Sequence, residues 1–295
     1  MAAKRIGIDA NSHKPEAEKA LRDLLGLLSE RGVEAFLSPD AAKILGRESS
    51  FASLQSMGCE IDLLLVLGGD GTILEAVRSI GQPVCPCPIL GLNVGHLGFL
   101  TYATTQDLEG VIDEILEGHY QVTDRMALNV EVFVGEQQKR SYHVLNEVTI
   151  KSDNIARMVR LKTSVDDSLM SVYNADGLIV ATPTGSTAYS MSATGPVVHP
   201  GAHSLVLSPI CPHTLTNRSV VVAAESRVTV EPMMANPAYP IQAVVTIDGQ
   251  ISEVVPKGGR IEISRSKHSV PLVFPTDYSF FETLRIKLAW HGGHV

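Results

Sequence analysis

No stretch of this 295-residue chain approaches the ~20 consecutive apolar residues of a membrane-spanning helix. Its opening, MAAKRIGIDA, lacks the long apolar core of a secretory signal. Both absences lead to the expectation of a cytoplasmic protein with no membrane partner. CxxC pairs are missing too. The cysteines are Cys59, Cys85, Cys87 and Cys211, and Cys85-Pro86-Cys87 is too cramped for a zinc knuckle, so they read as reduced core or loop thiols. The closing WHGGH offers His291 and His294, which read as a tail rather than a metal site. An excess of positive charge is also lacking: 24 Lys and Arg face 32 Asp and Glu, for a net charge of -8. That balance argues against nucleic acid or an anionic membrane as the main partner. It leaves room for anionic small molecules held by backbone N–H groups, a few arginines and a metal ion. Neither G-x-x-x-x-G-K-[ST] nor G-x-G-x-x-G occurs, which removes the Walker A loop and the ordinary Rossmann fingerprint. No internal repeat or low-complexity segment is found.

What is present is an ordinary globular composition, 44% hydrophobic and 19% charged, at a length that suggests two domains. The first ~120 residues alternate strand and helix patterns. RIGIDA reads as a strand, and Ala17, Ala20, Leu21, Leu24, Leu25 and Leu28 then recur at helical spacing. DLLLVL is apolar on both faces and bounded by glycine, as a central parallel strand would be. ILEAVRSI, PILGLNV and LEGVIDEILEG continue the alternation, which implies a doubly wound parallel sheet over residues 1–124. From Met126 onward the runs become short, β-branched and punctuated by turns, the pattern of a β-sandwich-like all-β domain over 125–272. DYSFFETLRIKLAW turns helical again, so 273–295 is expected to be a helical tail that packs back on the first domain.

One stretch raises a chemical question. In LLLVLGGDGTILEAV a lone carboxylate, Asp70, sits among Gly68, Gly69 and Gly71 at the mouth of a buried strand. Ligands of open α/β sheets bind beyond the carboxyl ends of strands. Glycines there let the backbone come close, and a helix beginning near Thr72 would point free N–H groups into the same space. Asp70 reads either as a helix cap or as a working carboxylate that takes a hydroxyl proton or helps place a metal. Three further stretches share this character: NVGHLGFLT at Asn93–Thr101, the Asn146–Glu147 pair, and NADGLIVATPTGSTAYSMSATGP at Asn174–Pro196, where Ser186 or Thr187 is placed to cap a short helix.

Taken together, GGDGT, NVGHLGFLT, the NE pair, TPTGSTAYS and SPICPHTLTNRSVVV resemble the NAD kinases, in that order and over essentially the whole chain. GGDG alone is shared with diacylglycerol and sphingosine kinases and with 6-phosphofructokinases; the TPTGSTAYS element is far more specific. The resemblance implies an α/β N-terminal domain, a β-rich C-terminal domain and a site in the cleft between them. It implies phosphorylation of the adenosine-ribose 2′-hydroxyl of NAD by ATP or another phosphoryl donor, with a divalent metal such as Mg²⁺, in a homodimer or homotetramer. By position, Asp70 resembles the catalytic base, with Gly69 and Gly71 beside it. Asn146, Glu147, Asn174 and Asp176 would contact the dinucleotide. Thr187, Ala188, Tyr189, Ser190, Met191 and Ser192 would line the adenine and ribose pocket. Gln250, in the DGQ hairpin, would reach in from a later loop or be part of an ordinary Asp-Gly turn. Arg157 would lie near the phosphates or be a solvated charge, and His213 would border the site or be a buried, hydrogen-bonded histidine. Glu75 and Asn174 stand where some members carry arginine, which withdraws two phosphate contacts. The rival readings are a lipid kinase using the same loop and a non-catalytic dinucleotide-binding regulator.

Overall fold

The computed structural model describes residues 4–11, 15–49, 51–81, 87–95, 98–154, 157–233, 242–255 and 258–290. Cys85, His96, His291 and His294 lie outside the described residues. The chain divides into two compact units, one made of residues 1–124 with 270–295 and the other of 125–269.

The first unit alternates as its sequence pattern requires. Its elements are β1 (Arg5–Ala10), α1 (Pro15–Glu30), β2 (Glu34–Leu37), α2 (Pro39–Ile44), α3 (Leu54–Gly58), β3 (Leu63–Leu67), α4 (Asp70–Ile80), β4 (Ile89–Asn93), β5 (Thr101–Thr104), α5 (Leu108–Glu117) and β6 (Tyr120–Arg125). β1 pairs in parallel with β2 and β3, β3 with β4, and β4 with β5. Every residue of β3 and β4 is buried, because helices cover both faces. Alternate residues Ile6, Ile8, Leu63, Leu65, Leu67, Leu90 and Leu92 meet the apolar stripes of α1 and α5. On the opposite face Gly7 lies against Met57 and Ile61, and Gly91 against Ile73. α5 ends on Gly118, whose φ of 80° is the left-handed conformation that closes helices.

Among its described residues the second unit forms strands apart from one short helical passage. Its strands are β7 (Leu128–Val134), β8 (Gln137–Val144), β9 (Glu147–Ser152), β10 (Val159–Val165), β11 (Ser168–Ala175), β12 (Gly177–Ala181), β13 (Ser204–Ile210), β14 (Val220–Ala223), β15 (Val228–Met233), β16 (Ala243–Ile247), β17 (Ile251–Val255) and β18 (Gly259–Arg265). They form two antiparallel sheets, β11-β10-β15-β18-β7-β8 and β14-β13-β12-β9-β16-β17. Both contribute to one core, with Val130, Leu161, Val230 and Ile263 from one sheet and Ile150, Val180, Leu207 and Val245 from the other. That shared core makes the unit a sandwich. β12 and β13 are buried on their outer face as well, where Ile179, Ala181, Val206 and Ile210 meet Tyr189, Ala193 and Val198. This explains why GLIVA is a continuous apolar run rather than an alternating one.

The return to the first unit is not purely helical. β19 (Val270–Pro275) precedes α7 (Phe280–Lys287) and enters the parallel sheet between β4 and β6, with Leu272 opposite Ile89. Leu272, Val273 and Phe274 are buried there, and Gln121 donates to the Pro275 carbonyl. Pro271 and Pro275 masked the strand in the sequence.

Candidate active site

In the first unit the GGDG turn leads from β3 straight into α4, which begins at Asp70, two residues before the expected Thr72. Gly69 occupies the N-cap position, and no side chain caps the helix. Asp70 is therefore not the cap that one reading of the loop allowed. Its carboxylate turns instead to the NVGHLGFLT segment, where Oδ2 accepts from the Phe99 N–H at 2.9 Å and Oδ1 from the Leu100 N–H at 3.1 Å. Gly98 permits that approach: a Cβ there would lie 1.8 Å from Asp70 Oδ1. Asp70 and Gly69 are half-buried and Gly71 is exposed. Asn11 Nδ2 donates to Thr72 Oγ1 at 3.3 Å, tying the loop after β1 to the same helix end. Arg78 lies 4.0 Å from Glu75, one turn apart on α4.

In the second unit the NE pair sits at the start of β9, and its backbone is fully engaged. Thr182 donates through its N–H to the Asn146 carbonyl and through its hydroxyl to the Leu145 carbonyl. The Asp248 carboxylate accepts the N–H groups of Leu145, Asn146 and Glu147 at 3.1, 2.8 and 3.1 Å. Asp248 in turn donates its own N–H to the Glu147 carbonyl. Asp248 and Gly249 both take positive φ, 46° and 67°, so the tight turn aims this carboxylate back at β9. Gly185 closes the other side, since a Cβ there would come within 2.1 Å of the Asn146 carbonyl oxygen. With the backbone spoken for, Asn146 Oδ1 and Glu147 Oε2 remain buried without a hydrogen-bond partner. Burial, then the nearby Asp248 charge, push the Glu147 carboxyl up to about 8, against a small opposing pull from the Tyr189 N–H.

The TPTGSTAYS stretch follows β12 as a single 3₁₀ turn, Thr184–Thr187, and a one-turn helix, α6 (Tyr189–Ser192). Neither Ser186 nor Thr187 caps that helix, whose N-cap is Ala188 with no side-chain bond. Ser186 donates to the Pro183 carbonyl and accepts the Val198 N–H, and Thr187 donates to the Thr184 carbonyl, because both hydroxyls are buried where only loop carbonyls and amides are in reach. Ser190 is fully buried against Ser208, while Ala188 and Met191 are half-buried and Ser192 is exposed. Tyr189 lies along the outer face of β9. Its N–H meets Glu147, and its hydroxyl accepts from Lys151, whose ammonium also sits 4.3 Å from the ring centre. Glu147 and Lys151 are four residues apart on one strand and hence on one face.

The structure thus gathers Asn146, Glu147, Thr187, Ala188 and Tyr189, and adds Asp248, which the DGQ hairpin marked only as a turn residue, and Lys151, which no motif marks. Asn174 lies at the end of β11 and Asp176 precedes β12, so both lie at the Lys151 end of β9 rather than the Glu147 end, since Gly177 pairs with Lys151 whereas Ala181 pairs with Glu147. Asp176 is exposed, and the Asn174 carbonyl accepts the N–H of His213. His213 is itself exposed, not the buried histidine that one reading proposed. Arg157 and Gln250 are exposed side chains. Among the described residues no group of three or more His, Cys, Asp and Glu side chains forms a metal cage, and no helix is long and apolar enough to cross a membrane.

Comparison with known proteins agrees across both units. The ATP-NAD kinase N-terminal domain model matches residues 6–120, and the ATP-NAD kinase C-terminal domain model matches residues 145–274. A protein named NAD kinase from Syntrophotalea carbinolica is 38% identical over 97% of this chain and 99% of its own length. Another of that name from Geobacter sulfurreducens is 39% identical with the same coverage. The NAD kinase of Archaeoglobus fulgidus, solved in complex with ATP, superposes with a TM-score of 0.75 at 27% identity, covering 98% of this chain and all of that one. Yeast NADH kinase, solved with NADH, shares the fold at a TM-score of 0.90 and 22% identity, covering 100% of this chain and 89% of its own.

Proposed function

This chain belongs to the NAD kinase family and phosphorylates NAD; on that premise we propose that the acceptor is the 2′-hydroxyl of the adenosine ribose and that Asp70 is the base that receives its proton. ATP, or another phosphoryl donor, supplies the group. The bond from ribose oxygen to the terminal phosphorus forms as the bond from that phosphorus to the bridging oxygen breaks, and the diphosphate leaves. The hydroxyl proton passes to Asp70 and then to water. The observation that carries this assignment is the grip on Asp70: each carboxylate oxygen takes one backbone N–H, from Phe99 and Leu100. A carboxylate oxygen accepts two bonds, so each keeps one acceptor position in a fixed direction. A base held in this way needs no reorganisation when the hydroxyl arrives.

Asn146 and Glu147 bind the adenosine and ribose portions in this reading, and Asp176 stands beside the same dinucleotide. Thr187, Ala188, Tyr189 and Ser192 shape the base pocket. Mg²⁺ would enter on the donor's phosphates, a mode that needs only one or two protein carboxylates, and Asp70 with its open acceptor positions fits that demand. When bound, the ion supplies neutralisation of the phosphate charge.

Incubation of the full chain with NAD, ATP and Mg²⁺ should yield NADP, and NAD lacking the 2′-hydroxyl should not be phosphorylated. Asp70→Asn should lower kcat by at least ~10²-fold, with a much smaller change in NAD affinity. Near-normal kcat in that variant would remove Asp70 from the chemistry. A loss of NAD binding with kcat at saturation preserved would make Asp70 a ribose ligand instead.

A further inference from the structure

Two carboxyl groups lie side by side at the start of β9, and only one has its charge balanced. Asp248 is 5% exposed and its carboxylate accepts three backbone N–H groups. Glu147 is buried to the same 5%, yet its carboxyl receives one N–H, from Tyr189, and Oε2 has neither a partner nor solvent. An ionised carboxylate removed from water without compensation is strongly disfavoured, and a second one beside it more so. Three amide donors fix the negative charge on Asp248. Among the described residues the elements packed around Glu147 bring no cation to its carboxyl: Ala181 faces it from β12, β16 leads into Asp248, the Thr184–Thr187 turn is uncharged, and Lys151 is turned to Tyr189 four residues along the strand.

We infer that Glu147 is a neutral carboxylic acid in the free enzyme at physiological pH, and that it presents an O–H donor to an acceptor atom of the bound dinucleotide. This rests on the reading that Asn146 and Glu147 contact NAD. Burial and the Asp248 charge, which push this carboxyl up to about 8, agree with the geometry. Asn146 Oδ1, one residue earlier and likewise buried without a partner, is an acceptor in need of a donor. Between them the two side chains offer a ligand an O–H donor from Glu147 and a carbonyl acceptor from Asn146.

Two measurements on the full chain test this. Carbonyl ¹³C NMR of the free protein, with the Glu147 signal identified by its loss in Glu147→Gln, should show a titration midpoint near 8. Calorimetric binding of NAD should weaken about tenfold from pH 7 to pH 9. Glu147→Gln, which keeps a donor but cannot ionise, should bind NAD with a flat pH profile. A midpoint below 6, or a sloping profile in Glu147→Gln identical to the parent's, overturns the inference. Asn146→Ala and Glu147→Ala separate the two levels. If both leave the NAD dissociation constant unchanged, the placement of NAD is wrong and the inference falls with it. If both weaken binding while the parent's profile is flat, the placement stands and only the neutral acid is rejected.

Discussion

Asp9 shows at the residue scale what a strand motif conceals. RIGIDA reads as a plain β-strand, and nothing in it marks Asp9 as buried. Its Oδ1 accepts the Ser38 hydroxyl at 2.6 Å, and the same Ser38 oxygen accepts the Ala41 N–H that starts α2. Burial pushes Asp9 up to about 6, with smaller upward contributions from Asp40 and Glu75 and a downward one from Ser38. Because the folded value lies above the unfolded one near 4, the native state holds this proton more tightly. The corresponding stability is complete below about pH 4 and is lost as pH rises through about 6, on the order of 3 kcal/mol in all. Asp9→Asn keeps an acceptor for Ser38 and cannot ionise. Its melting temperature should exceed the parent's at pH 7.5 by roughly 4 °C or more, and the gain should shrink toward zero at pH 4.5. An equal gain at both pH values would show that ionisation is not its source. Asp70 offers the contrast: its glycine setting made it legible, but its partners, two amides about thirty residues on, did not show in any local pattern.

At the scale of elements, legibility followed periodicity. LLLVL and GLIVA were readable as strands because both faces are buried, and the helices α1 and α5 because one face is. The TPTGSTAYS passage was readable as a site but not as a shape, since the hydroxyls that looked like caps bond to loop carbonyls and amides instead. The Asp248–Gly249 turn was visible as a turn, but its grip on three amides of a non-adjacent strand depends on tertiary pairing. The same applies to Tyr189, which spans β9 from Glu147 to Lys151. A tyrosine fixed at both ends offers a preformed packing surface for a flat base. Tyr189→Ala should therefore raise KM for NAD at least several-fold and lower kcat by less, as steady-state kinetics would show. The reverse split would give Tyr189 a role in the transition state.

The whole molecule carries one feature that sequence patterns place poorly, the interior position of β19. With β19 absent, β6 loses its neighbour and Leu272, Val273 and Phe274 no longer fill the sheet. Residues 125–269 should then unfold cooperatively as an isolated fragment by circular dichroism, and residues 1–124 should not unless 270–295 is joined to them. A cooperative transition in 1–124 alone would show that the strand is dispensable. Neither fragment should form NADP. The insertion also orders events on the ribosome. The second unit is contiguous and is complete once Ser269 has emerged, while the first must wait through 125–269 for its missing strand. At ordinary translation speeds that wait is roughly 7–30 s. During that interval the β4 edge that β19 will cover is open to other strands, so the half of the chain made first is finished last and is the half that a nascent-chain chaperone has most reason to hold.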